Sequence, residues 1–290
     1  MKILVTGGAG FIGRNLVNRA DNCGHEFVTL DLPGRGGDIQ HNLMYPLTLP
    51  KFDAVIHLAA KSGVRNDMGP RINVLNKTMA QNVLNWATEM GVNLVINASS
   101  SSVYGLEKRQ TEMAHSLKPV SEYGKSKLAI EGLMNEWART QKGLAVNFRL
   151  FNVIGHHQRS DMLPYLIADH LKNDKPLHLL GTRQRNFTYV GDVVDAFVAG
   201  VNLFAPAKRS QHFTMNVGTG VTLTQRQLIA KFEAYTGRHA RALDMPEHAA
   251  DVPITKADTE FFKSVFGWAP STDHVDHGVR EICADFGLFK

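Results

Sequence analysis

The first thirteen residues constrain this chain more than any other stretch. Lys2–Thr6 (KILVT) is a short β-branched and apolar run, the pattern of a strand buried on both faces. Glycines follow at positions 7, 8, 10 and 13, and Phe11-Ile12 opens an amphipathic segment that continues through Leu16 and Val17. Strand, glycine turn and helix in this order form the opening of a dinucleotide-binding unit. The turn must bend sharply and lie against a pyrophosphate, which side chains would obstruct. The helix N-terminus then offers free N–H groups and the positive end of its dipole to the phosphates. The spacing reads as Gly7-x-x-Gly10-x-x-Gly13 or as Gly8-x-Gly10-x-x-Gly13. Glycine turns also occur without a ligand, but the position directly after an N-terminal strand favours a cofactor site.

The second strand, Glu26–Leu30, ends in Asp31, 18 residues beyond Gly13. This fold places the group that meets the adenosine ribose at about that distance. A carboxylate accepts from the 2′-hydroxyl and repels a 2′-phosphate, so NAD is expected over NADP, with Arg35 nearby keeping the second open. The glycine-rich segment 32–43 leaves no room for a full helix before a third strand near Asp38-Ile39. Ala54–Ala59 reads as a fourth strand, and Ala59-Ala60 offers small side chains where a cofactor would lie. A helix is predicted over Arg71–Met90, with Val74, Leu75, Val83, Leu84 and Trp86 on its apolar side and Gly91 as its cap. Asn93–Ala98 is the fifth strand. The alternation predicts an α/β fold with a doubly wound parallel sheet of the Rossmann type.

A chain of 290 residues can bury a large core as one elaborated domain or two intimate ones. No apolar run is long enough to span a membrane, and the first residues read as a strand rather than a signal peptide. Cys23 and Cys283 have no metal or redox spacing, which points to a reducing cytoplasm. The net charge of +5 is scattered and not interleaved with aromatics, which argues against nucleic acid and is compatible with a phosphate-bearing substrate.

Strand five runs into Ser99-Ser100-Ser101-Ser102-Val103-Tyr104-Gly105, which puts four hydroxyls where such sheets bind ligands. Further on, Ser121-Glu122-Tyr123-Gly124-Lys125-Ser126-Lys127 opens another helix, on which Tyr123 and Lys127 share a face. A tyrosine ordinarily titrates near 10. A neighbouring ammonium and a cationic nicotinamide would favour the phenolate, making Tyr123 a general acid/base near neutral pH.

At this point the chain resembles a known family: the extended short-chain dehydrogenase/reductases, specifically the NAD-dependent epimerase/dehydratase group that acts on nucleotide sugars. The resemblance rests on GGAGFIG (7–13), Asp31, GDI (37–39), HLAA (57–60), NV (73–74), SSSSVYG (99–105), YGKSK (123–127), RLFNVIG (149–155), RNFTYVGDV (185–193) and NVGTG (216–220), in the family's order. It implies that Tyr123 is the acid/base, that Lys127 binds the nicotinamide ribose and lowers the tyrosine pKa, and that Ser100 is the catalytic hydroxyl. It further implies NAD contacts from Gly7, Gly10, Phe11, Ile12, Gly13, Asp31, Asp38, Ile39, Leu58, Ala59, Ala60, Lys61 and Phe151, together with Tyr123 and Lys127. Ser100, Ser101, Asn152, Arg185 and His248 would meet the substrate, and the protein would be a homodimer.

Sugar 4,6-dehydratases of this group carry Asp-Glu directly after the catalytic hydroxyl, where this chain has Ser101-Ser102. The serine-rich version resembles 4-epimerases, so the expected activity is epimerisation of a nucleotide-diphosphate sugar by transient hydride transfer to bound NAD. Three departures stand beside this. His248-Ala249-Ala250-Asp251 replaces the family's R-x-G-D, Asp161 takes the place of an asparagine, and the trimmed region after Asp31 is similar to compact 4-ketosugar reductases. A net NAD(P)-dependent dehydrogenase or reductase of a ketosugar or small hydroxy substrate is therefore the alternative. A non-catalytic NAD-binding regulator is a third reading, against which intact Ser100, Tyr123 and Lys127 argue.

Leu144–Phe151 reads as strand six. Beyond it, helices are expected over Asp161–Leu171, Val193–Phe204, Leu223–Thr236 (capped by Thr222 or Thr224) and Asp276–Phe286. Short strands are expected at Pro176–Leu180 and Phe213–Val217. Residues 1–152 would form the NAD-binding unit, with returns from the second half, and 153–290 mainly a substrate-binding lobe. His156-His157 is expected to be a loop pair facing apart rather than a metal site. Leu128, Ile130, Leu133 and Met134 suit either a subunit interface or the internal core.

Overall fold

The computed structural model describes the chain except for residues 20–22, 64–67, 108, 113–116, 182, 206–209, 247–251 and 290. A seven-stranded parallel sheet dominates it. The strands are β1 (Lys2–Thr6), β2 (Glu26–Asp31), β3 (Ile39–Gln40), β4 (Ala54–His57), β5 (Leu94–Ser100), β6 (Leu144–Leu150) and, from much later in the chain, β10 (Gln211–Val217). Their order is β10-β6-β5-β4-β1-β2-β3, and every neighbouring pair is parallel.

Both faces of the sheet are covered, which is why its strands read as largely apolar. Ile3, Val5, Ile56, Ile96, Phe148 and Met215 pack on one side with Leu16 of α1 (Phe11–Arg19), Val193 and Phe197 of α5 (Val190–Phe204) and Phe262 of α7 (Glu260–Phe266). Leu4, Val55, Val95 and Ala145 pack on the other with Val83, Leu84 and Ala87 of α2 (Arg71–Glu89) and with Ile130 and Met134 of α3 (Glu122–Gln141). Leu133 borders the same cluster, and Leu128 borders a smaller one around Tyr104 and Phe151.

The buried stripe of α2 runs through Ile72, Asn76, Ala80, Val83 and Ala87. Val74, expected on the apolar side, falls off that 3.6-residue stripe and is 64% exposed. The helix ends at Glu89 with Met90 as its cap. Gly91 takes the next position at φ +62, where Val92 N–H bonds Ala87 O (2.8 Å) and Gly91 N–H bonds Thr88 O (3.1 Å). β4 stops at His57 rather than Ala59. Leu58 N–H still bonds Thr6 O (3.0 Å), after which the chain leaves the sheet beneath the glycine turn.

The second half builds a smaller lobe around Ile154, Ile167, Leu179, Phe187, Leu228, Phe232, Val279 and Ile282. Its helices are α4 (Leu163–Asn173), α6 (Gln225–Thr236) and α8 (Val275–Asp285). Strand β9 (Gln184–Tyr189) pairs with β7 (Asn152–Ile154) and β13 (Ile254–Thr255) in parallel and with β11 (Thr222–Thr224) antiparallel. β12 (Ala242–Met245) pairs with β8 (Leu177–Leu180).

Several boundaries differ from expectation for local reasons. Asp161 precedes α4, which begins at Leu163 with Pro164 in its first turn, where a missing N–H costs nothing. α5 begins three residues before Val193, at Val190. Leu223 belongs to β11, and α6 starts at Gln225 behind a capping box in which Thr224 and Gln227 exchange bonds. No described helix is long and apolar enough to cross a membrane.

Candidate active site

The glycine turn lies at the carboxyl end of β1. Gly7 has φ +74, and a Cβ there would stand 2.7 Å from Ala59 N. Gly13 presses α1 onto the turn, where a Cβ would fall 2.5 Å from Gly8 O. Arg14 N–H to Gly10 O (3.0 Å) is the first helical bond, so the N–H groups of Phe11 and Ile12 precede the ladder and remain available to an anion. Asp31 closes the turn from β2, accepting from Ala9 N–H (3.0 Å) and Leu32 N–H (2.8 Å). These features fit the diphosphate and ribose of a dinucleotide. Gly7→Ala forces a left-handed backbone on an alanine, at a cost of about 1–2 kcal/mol. NAD binding by this variant, measured calorimetrically, is expected to weaken about ten-fold.

Other expected cofactor positions vary in their surroundings. The Asp38 carboxylate accepts from both Thr29 N–H and Thr29 Oγ–H (2.8 Å each). These bonds hold its pKa below the usual carboxylate value. Ile39 is half-buried beside it. Leu58, Ala59 and Ala60 line the turn after β4, followed by exposed Lys61. Phe151 is only 1% exposed and packs against Tyr104, so its side chain belongs to the core.

The serines follow from how β5 ends. A 3₁₀ turn over Ser101–Tyr104 starts directly after the strand, with Ser100 as its cap accepting from Ser102 N–H (3.2 Å). Ser101 is buried. The start of α3 fits against this turn. Ser121 Oγ caps Gly124 N–H (3.0 Å), and a Cβ on Gly124 would lie 2.5 Å from Ser102 O. Glycine after Tyr123 thus allows the close approach that brings the phenol to Ser100.

The electrostatics of the pair differ from the simple expectation. Burial pushes the Tyr123 phenol up, while the hydrogen-bonded Ser100 hydroxyl and then the Arg159 guanidinium pull it down. Lys127, expected to depress it, points its ammonium at Ala98 O (2.7 Å) and lies 5.8 Å from the centre of the Tyr123 ring. Burial brings Lys127 itself down to about 8, against the pull of Glu131.

Two further groups escaped the sequence reading. Asn76, not Asn73, is the buried asparagine of α2. It accepts from Lys61 N–H (2.7 Å) and donates to Lys61 O (3.0 Å) and Ser126 Oγ (2.9 Å), tying the loop after β4 to α3. Its place on the buried stripe of α2 was the available signal. Behind Ser100, Glu131 accepts from Ser99 Oγ and pairs in two-pronged fashion with Arg149 (2.9 and 2.7 Å). Arg149 Nη1 donates to Tyr104 Oη (3.1 Å), which donates to Asn216 Oδ1 (2.6 Å). An arginine inside a strand buried along its whole length was the mark of this network.

Toward the second lobe, Asn152 and Arg185 are diagonal neighbours across β7 and β9. Arg185 Nη1 donates to Gln184 O (2.9 Å) and Pro253 O (3.1 Å). His248 lies outside the described residues. Asp161 is held by Arg159 through Nε to Oδ1 (3.0 Å) and Nη2 to Oδ2, and a Cβ on Gly63 would lie within 4 Å of both side chains. His156 and His157 do not face apart. His157 adopts a left-handed φ of +64, which brings the two ring centres to 3.8 Å with their planes tilted by 36°, and His156 Nδ1 pairs with Asp285. Among the described residues, no group of three or more His, Cys, Asp or Glu side chains is placed to hold a metal.

The comparisons with known proteins agree with this geometry. The family model of the NAD dependent epimerase/dehydratase family matches residues 3–218. The uncharacterised UDP-glucose epimerase YtcB of Bacillus subtilis is 30% identical, covering 100% of this chain and 99% of its own. The structure of MoeE5 in complex with UDP-glucuronic acid and NAD superposes with a TM-score of 0.87 at 31% identity, covering 99% of both chains. A mutant UDP-glucuronic acid 4-epimerase from Bacillus cereus, in complex with UDP-4-deoxy-4-fluoro-glucuronic acid and NAD, gives a TM-score of 0.86 at 26% identity over 99% of both chains. The chain belongs to the NAD-dependent epimerase/dehydratase family of extended short-chain dehydrogenase/reductases, enzymes whose cofactor is NAD.

Proposed function

We propose that the chain is a UDP-sugar 4-epimerase with Tyr123 as its acid/base. One observation carries the reading: the Ser100 hydroxyl, at the carboxyl end of β5, acts to lower the pKa of the buried Tyr123 phenol, with Lys127 one turn along the same helix as Tyr123. NAD, which the glycine turn and Asp31 would hold, would supply a reversible hydride acceptor for C4 of the sugar and a positive charge that favours the phenolate. Tyr123 accepts the 4-hydroxyl proton as C4 becomes a ketone and gives it back when the hydride returns to the opposite face. Ser100 orients the oxygen that changes hands. Asn152, Arg185 and His248 are the proposed contacts of the nucleotide-diphosphate part. Ser101-Ser102 provides no carboxylic acid to expel a hydroxyl, which counts against dehydration. We further propose that the protein pairs with a second copy through the outer faces of α2 and α3, where Val74 is exposed.

Arg159 favours an acidic sugar. Its guanidinium acts on Tyr123, and Asp161 engages Nε and Nη2, so among the described residues the Nη1 donors are left for a substrate carboxylate. UDP-glucuronate is therefore the expected substrate ahead of UDP-glucose. Proton NMR should show the C4 epimer accumulating without a lasting absorbance change at 340 nm. Arg159→Ala should lower turnover of UDP-glucuronate about ten-fold, and that of UDP-glucose much less, as expected for the loss of a charged contact. Net formation or consumption of NADH with substrate would instead make the protein a dehydrogenase or reductase.

A further inference from the structure

One straight row of polar side chains crosses the large sheet. Thr6, His57, Asn97, Asn147 and Thr214 are successive register partners on β1, β4, β5, β6 and β10. Four of them, Thr6, His57, Asn97 and Asn147, are at most 2% exposed. Strand alternation turns the row toward α2 and α3, the face of Leu4, Val55, Val95 and Ala145. Thr6 Oγ bonds His57 Nδ1 (2.7 Å), Asn97 Nδ2 donates to Asn147 Oδ1 (2.9 Å), and Asn147 Nδ2 reaches Thr214 Oγ (3.5 Å). The chain of bonds breaks at a single step. His57 Nε2 and Asn97 Oδ1 are both fully buried and without a partner among the described residues. They belong to neighbouring strands whose backbones run about 4.8 Å apart.

We infer that His57, Asn97 and Lys127 enclose a bound water, and that His57 is through it a positioning residue for the Lys127 ammonium. Two orphaned polar atoms on adjacent strands are costly in a core unless something bridges them. A water suits Nε2 in either tautomer, because it donates and accepts, and it can donate to Asn97 Oδ1. Lys127 supplies the third partner. Its ammonium spends one N–H on Ala98 O, the carbonyl directly after Asn97, and its charge acts on His57. Burial holds His57 down at about 3, so the imidazole stays neutral at every working pH and does not repel the ammonium. The remaining described surroundings carry little charge. β1 and β5 present Thr6, Asn97 and Ser99, α2 turns Asn76 and apolar residues inward, and β6 presents Asn147 and the Arg149 that Glu131 neutralises. Of the titratable groups of α3, Tyr123, Lys127 and Glu131 lie on its inner side, whereas Glu122 pairs with Lys125 and Glu136 with Arg139 at the surface.

The water accepts from the ammonium and stabilises its charged form. Losing the water lets desolvation lower Lys127 further, so activity fails at a lower pH. The positioning role rests on Lys127 as the partner of Tyr123, whereas the water site does not. Wild-type crystals that resolve internal waters should therefore show one bonded to His57 Nε2, Asn97 Oδ1 and Lys127 Nζ, whatever the substrate proves to be. His57→Leu should move the alkaline limb of the kcat profile down by about one pH unit. It should also lower kcat about ten-fold with KM nearly unchanged. His57→Gln, which keeps a polar end in reach of the water, should retain the wild-type limb. The inference is overturned if wild-type crystals show no water there, or if a folded His57→Leu enzyme keeps the wild-type limb.

Discussion

Replacing Tyr123 with phenylalanine is expected to lower kcat by about 10³-fold, within the range for removal of a positioned proton-transfer group. Fold and bound NAD should be unchanged. The ring of Tyr123 stays in place because its backbone is fixed by the Ser121 cap, by Ser126 Oγ bonded to Tyr123 O (2.7 Å), and by Asn76 behind Ser126. Only the hydroxyl that meets Ser100 is lost. Single-turnover measurement should show slow hydride transfer, with KM for the sugar nucleotide little changed. A variant as active as the wild type would remove Tyr123 from the chemistry and the acid/base assignment with it.

The largest stability effect is expected at Arg149. This side chain is 4% exposed and holds the carboxylate of Glu131, which is 7% exposed, in two parallel bonds. Arg149→Met leaves that carboxylate buried without its counter-charge and Tyr104 without a donor, at a cost of about 3–5 kcal/mol. Urea unfolding should register this, and thermal unfolding should fall by on the order of 10 °C. Combining Arg149→Met with Glu131→Leu should recover most of the loss, because both charges are then gone. Activity tells the two effects apart. Ser99, which donates to Glu131, immediately precedes Ser100, so the single variant should lose turnover below its melting range as well. A loss under about 1 kcal/mol would place the pair in the class of weak, solvent-screened bridges.

Much of the large sheet was legible because parallel strands covered on both faces leave a strong signal. β1 matches its expected range, and β2, β5 and β6 differ only at their ends. The glycine turn and the Tyr123 helix were legible because each requirement, close backbone approach or a shared helical face, falls on residues near one another in the chain. The lobe was harder to read. β7, β11 and β13 have two or three residues each, too short for any periodicity to show, and only pairing with β9 makes them strands. The sequence reading also missed what depends on distant partners. Asp161 looked like a bare acid until Arg159 was seen to hold it. Glu131 carries no local sign of its role, which arises only where β6 brings Arg149 against it. Tyr123 was expected to owe its pKa to Lys127, yet Ser100 and Arg159 are the groups that pull it down.

The position of β10 at the edge of the sheet governs how the molecule can be divided. This strand pairs with β6 over seven residues, yet 60 residues separate Leu150 from Gln211. A fragment that stops after Asn152 contains the glycine turn, Ser100, Tyr123 and Lys127, but it ends on an open β6 edge, a ready template for pairing with another chain. During synthesis, the half that carries the cofactor turn stays unfinished until the first part of the lobe, from β7 to β9, and α5 have left the ribosome. Its completion is a long-range closure that a chain makes slowly, so the exposed edge of β6 is a period of risk written into the topology.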